Sequence, residues 1–100
     1  MATHYRKITN GAEPSSPSLG EMWVNQAGES YQMYIWINRW YPLIGGGAYI
    51  SESGADSNYV NVVIQEDIPY SIIKPCWFWI KESTNSVYIY LWDFIPIVSV

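Results

Sequence analysis

One hundred residues, 49% of them hydrophobic and only 14% charged, against about 25% charged in an ordinary soluble domain, bound the chain to one small domain or two very small ones. The net charge is −4, and the five basic residues (Arg6, Lys7, Arg39, Lys74, Lys81) are scattered, which excludes a basic stripe able to track a phosphate backbone. The single cysteine, Cys76, excludes an intrachain disulfide and a CxxC metal pair.

In chain order, β signals dominate. Strand candidates are Tyr5 to Thr9, Glu21 to Asn25, Tyr31 to Ile37, Tyr59 to Ile64, Cys76 to Lys81, Val87 to Trp92 and Ile95 to Val98. They are rich in β-branched and aromatic residues, and the stretches from Tyr31, Tyr59 and Val87 alternate residue type with period two. No window carries the i, i+3, i+4, i+7 spacing of an amphipathic helix. Turn residues separate the strands. The stretch from Glu13 to Ser18 is Pro/Ser-rich, Gly28 sits in the turn from Gln26 to Ser30, and Asn85 is the left-handed candidate in the turn from Glu82 to Ser86. Gly45 to Gly47, followed by the stretch from Ser51 to Ser57, marks a boundary between two units, residues 1–47 and 48–100. The expected fold is all-β with short antiparallel strands: two similar three-stranded units, or one small β-sandwich built from them.

The halves read as a repeat. The spacing from Trp23 to Trp36 equals the spacing from Trp79 to Trp92, and each strand pair is followed by an aromatic residue and a proline (Trp40 and Pro42; Phe94 and Pro96). On this spacing Trp36 corresponds to Trp92, and the closing loop is shorter in the second half. Within the strands Tyr31, Met33, Ile35 and Ile37 oppose Tyr34 and Trp36, and Val87, Ile89 and Leu91 oppose Tyr88, Tyr90 and Trp92. Side chains alternate across a strand, so one face is aliphatic and reads as core. The other is aromatic, and either packs under another strand or meets a partner.

Aromatics make up 17% of the chain, six Trp and nine Tyr among them. A globule this small cannot hide so much ring surface, and a large exposed apolar patch marks a partner surface. Candidate interface or core aromatics are Trp23, Trp36, Trp40, Trp77, Trp79, Trp92, Tyr34 and Tyr90. The apolar end, Phe94, Ile95, Ile97, Val98 and Val100, is a candidate docking segment, and edge strands would offer further pairing between subunits. Trp36, Trp40 and Tyr41, with Trp77, are candidates for stacking on a sugar ring.

Catalytic signals are weak. His4, the only histidine, sits near the terminus among basic and polar neighbours. No Ser-His-Asp arrangement with a nucleophile elbow appears. The stretch from Asp56 to Asn58 lacks the ligands of a calcium loop, and Gly45 to Gly47 precedes a strand rather than a helix, so it is no phosphate cradle. Cys76, in an aromatic run, reads as a buried, inert thiol. No catalytic residue, metal or cofactor is expected. The first residues lack the apolar core of a signal peptide, and no apolar run reaches the roughly 18 residues of a membrane helix, so synthesis in a cytoplasm without membrane insertion is expected.

Residues 12 to 44 carry a recognisable order. A Pro/Ser lead gives way to Gly20-Glu21-Met22-Trp23, a turn with Gly28, Tyr34-Ile35-Trp36, and Trp40 to Ile44. This resembles a small Trp-rich β module of bacteriophage tail-fibre and other virion structural proteins. The second half matches it in part, with Cys76-Trp77 in place of the Gly-acid step and Phe94 in place of the closing Trp. The resemblance implies a structural unit of a virion (tail or baseplate adaptor, fibre component or capsid decoration) that assembles with other virion proteins and copies of itself, in the host cytoplasm. A carbohydrate-binding module meeting a cell-surface glycan is the alternative.

Overall fold

In a computed structural model, which describes residues 2–27, 30–47 and 58–98, the chain is all-β. Its strands are β1 (Thr3–Asn10), β2 (Met22–Ala27), β3 (Ser30–Trp36), β4 (Trp40–Pro42), β5 (Tyr59–Ile64), β6 (Trp77–Lys81), β7 (Ser86–Tyr90) and β8 (Phe94–Pro96). Short 3-10 turns occupy Ile44–Gly47 and Glu82–Thr84. Asn85 ends the second of these in the left-handed conformation, φ 54°, which asparagine tolerates better than most residues. Gly28, the 51–57 stretch and Val100 lie outside the described residues.

All eight strands form one curled sheet in the order β4-β3-β2-β1-β5-β6-β7-β8. The order is a palindrome of two four-stranded halves. Each half is a strand running parallel to the next (β1 with β2, β5 with β6), followed by two antiparallel hairpins. The expected three-stranded units therefore each gain β1 or β5 as a fourth strand, and the halves fuse through the antiparallel β1–β5 pair. Arg6 pairs with Val60 in that seam. At the far ends Leu43 bridges Val98, and the Ile44 N–H donates to the Ile97 oxygen at 2.8 Å. The sheet thus curls until its two ends touch, which satisfies part of each outer strand's free backbone and leaves less edge for another chain.

The halves match in register, and the register corrects the sequence alignment. Ile8 and Val62 hold the same place, as do Tyr34 and Tyr88, Trp40 and Phe94, and Pro42 and Pro96, all at one constant sequence offset. Only β2 and β6 depart from that offset, with Trp23 matching Trp79. The crossover before β6 is longer than the one before β2, and the following hairpin is shorter by the same amount. Trp36 consequently corresponds to Tyr90, not Trp92, and the closing hairpins are equal in length: Trp36 faces Trp40 as Tyr90 faces Phe94. Trp92 lies in the β7–β8 turn, 80% exposed. Two aromatic landmarks at equal spacing concealed two compensating length changes.

The strand faces divide as the alternation requires, except that Tyr31, read with the inward set, lies beyond the core's reach and is 50% exposed. Met33, Ile35 and Ile37 join Ile8, Met22, Tyr41 and Leu43 from the first half, and Val60, Val62, Phe78, Ile80, Val87, Ile89, Ile97 and Val98 from the second, in a single core. At about 1.5–3 kcal/mol per buried aliphatic side chain, this shared interior is the main force holding the halves together. Aromatic rings line the outside.

Candidate functional site

The outer surface of each half carries the same four-ring arrangement. In the first half, Trp23 on β2 stacks on Tyr34 of β3 with centroids 5.0 Å apart. Trp40 of β4 leans on Trp23 at 5.6 Å and meets Trp36 edge to face at 5.3 Å. In the second, Trp79 stacks on Tyr88 at 4.9 Å. Phe94 meets Trp79 at 5.4 Å and Tyr90 at 4.9 Å. Offset and edge-to-face contacts suit the ring quadrupoles and add about 0.5–1.5 kcal/mol per pair beyond area burial. The clusters are also fixed alike to the backbone. The Trp23 indole N–H donates to the Gly11 oxygen and that of Trp79 to the Gln65 oxygen, both at 2.9 Å, and Gly11 and Gln65 are equivalent positions.

The entry to each cluster is a left-handed residue. Gly20 (φ 92°) and Cys76 (φ 75°) are equivalent, and their N–H groups donate to the Trp36 and Tyr90 oxygens at 2.9 and 2.7 Å. Gly20 suits this backbone, and a Cβ there would lie 3.2 Å from the Arg6 Cγ. Cys76 adopts the conformation with a side chain present, and is half-buried rather than fully buried as its aromatic surroundings imply.

Burial separates the clusters. Trp79 is 5% exposed and is buried together with Val63 and Ile73, while Tyr88, Tyr90 and Phe94 are half-buried around it. Its cover is the crossover 65–76, where a turn closed by the Ile73 N–H on the Pro69 oxygen (3.1 Å) buries both Pro69 and Ile73. Tyr70 of that turn meets Phe94 edge to face at 5.9 Å. In the first half the central Trp23 is only half-buried, and Tyr34, Trp36 and Trp40 are half-buried as their counterparts are. The equivalent crossover 11–21 is Pro/Ser-rich, and Leu19, its large aliphatic residue, packs on the inner core instead. The open rings of the first half are the candidate site.

Other sequence candidates fall elsewhere. Trp77 is half-buried under the Lys74 ammonium, 5.7 Å from its ring. Tyr41 is 4% exposed, with the Arg39 guanidinium 4.2 Å over its ring and its hydroxyl donating to the Asn38 oxygen at 3.0 Å. It points inward beside Ile35, so it offers no ring face to a sugar. Phe94 and Ile95 belong to β8, and Ile97 and Val98 are buried in the core. The apolar end is thus built into the fold as far as Val98, not held out for docking. Ile73 and Pro69 were not legible as functional residues. The signal was available, since Ile68, Pro69, Ile72 and Ile73 stand in a loop whose counterpart is serine and proline.

A second aromatic contact lies over the β1–β5 seam, where the equivalent residues Tyr5 and Tyr59 stack at 4.9 Å. Among the described residues no group of three His, Cys, Asp or Glu side chains comes together to hold a metal, and no buried side-chain polar atom lacks a partner. The His4 pKa is lowered, first by desolvation and then by Arg6 and the N-terminus. The Glu66 carboxyl is held below its usual range, chiefly by its hydrogen bond with Ser83. Neither group lies on β2, β3 or β4, which carry the open rings. No family model, curated protein or solved structure matches the chain.

Proposed function

We propose that the chain is a non-catalytic assembly module, a structural subunit of a bacteriophage virion that docks on neighbouring virion proteins, or on copies of itself, through the open ring cluster Trp23, Tyr34, Trp36 and Trp40. The observation that carries the docking part is the contrast between equivalent clusters: the central tryptophan of one is buried by its own chain and that of the other is only half-buried. Partly buried tryptophans held in a fixed array lose little rotamer freedom on binding, and tryptophan and tyrosine are the residues that anchor interfaces. The virion setting rests on the resemblance of residues 12 to 44 to phage modules, and the apolar composition supports it. The test is whether the chain is a stoichiometric component of purified virus particles produced from its native genome. Detection by mass spectrometry at a fixed copy ratio to the other particle proteins is the expected result, and its absence from particles overturns the reading.

A glycan-binding role is favoured by one observation, that two partly exposed indoles, Trp36 and Trp40, are neighbours on the outer surface, meeting edge to face. It predicts binding on a glycan array that disappears in Trp36→Ala or Trp40→Ala while the fold survives.

A further inference from the structure

We infer that the open ring cluster takes, from a partner protein, a short Pro-led turn segment bearing branched aliphatic residues, as the covered cluster takes its own residues 69–73. The inference rests on the assembly reading and specifies the partner's chemistry.

The argument is one of internal equivalence. Four rings occupy matching places in both halves. The centroid distance is 5.0 Å for Trp23–Tyr34 against 4.9 Å for Trp79–Tyr88, and 5.6 Å for Trp23–Trp40 against 5.4 Å for Trp79–Phe94. Both indole N–H groups are already committed to matching backbone oxygens, so neither Trp23 nor Trp79 requires a polar partner. Around these two central indoles, what remains to be satisfied is apolar ring area. In the second half the occupant is visible: Ile73 shares the small cluster with Trp79, Pro69 is buried in the same turn, and Tyr70 touches Phe94. In the first half the chain supplies only Gly11-Ala-Glu-Pro-Ser-Ser-Pro-Ser-Leu-Gly-Glu21, and Leu19 is committed inward. The central tryptophan of this surface is left less covered than its twin, and the covered twin states what fits over it. One difference refines the chemistry. Glu21 stands where the second half has Trp77, so a basic residue in the position of Lys74 would find a carboxylate instead of an indole.

The experiment uses the full chain, labelled at the tryptophan indole nitrogens, titrated with a synthetic peptide of residues 66–75 (Glu-Asp-Ile-Pro-Tyr-Ser-Ile-Ile-Lys-Pro) as the probe. The expected result is saturable shifts of the Trp23, Trp36 and Trp40 indole signals, with the covered Trp79 unmoved. A peptide with Asp at the position of Ile73 should produce none. Trp36→Ala should weaken peptide binding by roughly fivefold or more, with the Trp79 signal reporting that the fold persists. Three outcomes overturn the inference: no shift at about 1 mM peptide, shifts confined to Trp92, or the same signals moving with dilution of the protein alone, which would make a second copy the occupant. Maltohexaose moving the three signals where the peptide does not would transfer the site to sugars. If the chain is found in particles while the peptide is silent, only the partner chemistry fails and the assembly reading stands.

Discussion

The two ring clusters are built on the same backbone register, yet Trp79 is buried and Trp23 is not. The rings are not the cause of the difference. It lies in the crossovers that precede β2 and β6: one is rich in serine and proline, and the other carries Ile68, Pro69, Tyr70, Ile72 and Ile73. A parallel pair needs a connection of about a dozen residues or more, usually a helix. Here neither crossover is helical, and each is free to be used or not as a lid on the rings. One repeated scaffold therefore buries one central tryptophan and leaves its twin half-buried, and that single contrast is what the docking proposal uses.

Paired substitutions at equivalent positions test that comparison, starting with the largest effect. Trp79→Ala should cost about 3–5 kcal/mol, the range for truncating a large buried aromatic, whereas Trp23→Ala should cost less, about 1–2 kcal/mol, because its ring is only partly buried. Urea unfolding of both variants decides it, and equal costs would mean the clusters are energetically the same. Ile73→Ala should lose about 2 kcal/mol, at the low end for a buried isoleucine because its cluster is small, and should shift Trp79 fluorescence to the red. An unshifted spectrum would show that Ile73 is not the lid. Gly20→Ala should destabilise by about 1–2 kcal/mol, since alanine disfavours positive φ and its Cβ would crowd Arg6, while Cys76→Gly should stabilise or be neutral. Opposite signs are expected in chemical denaturation, and the same sign in both would refute the shared role of these positions.

The smallest effect is electrostatic. The equivalent of His4 is Asn58, which does not titrate. Because the folded pKa of His4 is lowered, the unfolded chain takes up this proton first as pH falls. Stability from this group is full above the unfolded value of about 6.5 and declines as pH drops from there toward the folded value. His4→Asn should flatten the stability profile in that window. Glu66, whose carboxyl is also held low, acts in a more acidic window, losing its contribution as pH falls below the ordinary carboxylate range, so the two are separable by pH.

Much of the architecture was legible. Every strand except β4 is anticipated within a few residues, because alternation of aliphatic and aromatic side chains is imposed by the pleat itself. The inward set Met33, Ile35, Val87 and Ile89 and the outward set Tyr34, Trp36, Tyr88 and Tyr90 follow directly. The short β4, Trp40–Pro42, reads in the sequence only as an aromatic and a proline after a strand, with too few residues to show a period. Register misleads because Trp92 offers a landmark at the right distance. Hydrogen-bond pairing places Tyr90 there instead, and aromatic identity carries no register information when the aromatics are so many. The lid left only a compositional hint, aliphatic residues in one crossover against serine and proline in the other, because whether a loop lies over a ring depends on where it goes in space.

The contact between Leu43 and Val98 has a kinetic consequence. The hairpins β2–β3–β4 and β6–β7–β8 join near neighbours in sequence and can form independently, but this bridge spans more than half the chain. Its closure, like that of the β1–β5 seam, is among the entropically most demanding steps, since loop cost grows with the residues enclosed. The aliphatic faces of the two halves are therefore closed off from water late, after the local hairpins have formed. Ile97→Ala should accordingly accelerate unfolding while leaving the refolding rate nearly unchanged, and a refolding rate that falls in proportion would mean the ends meet first.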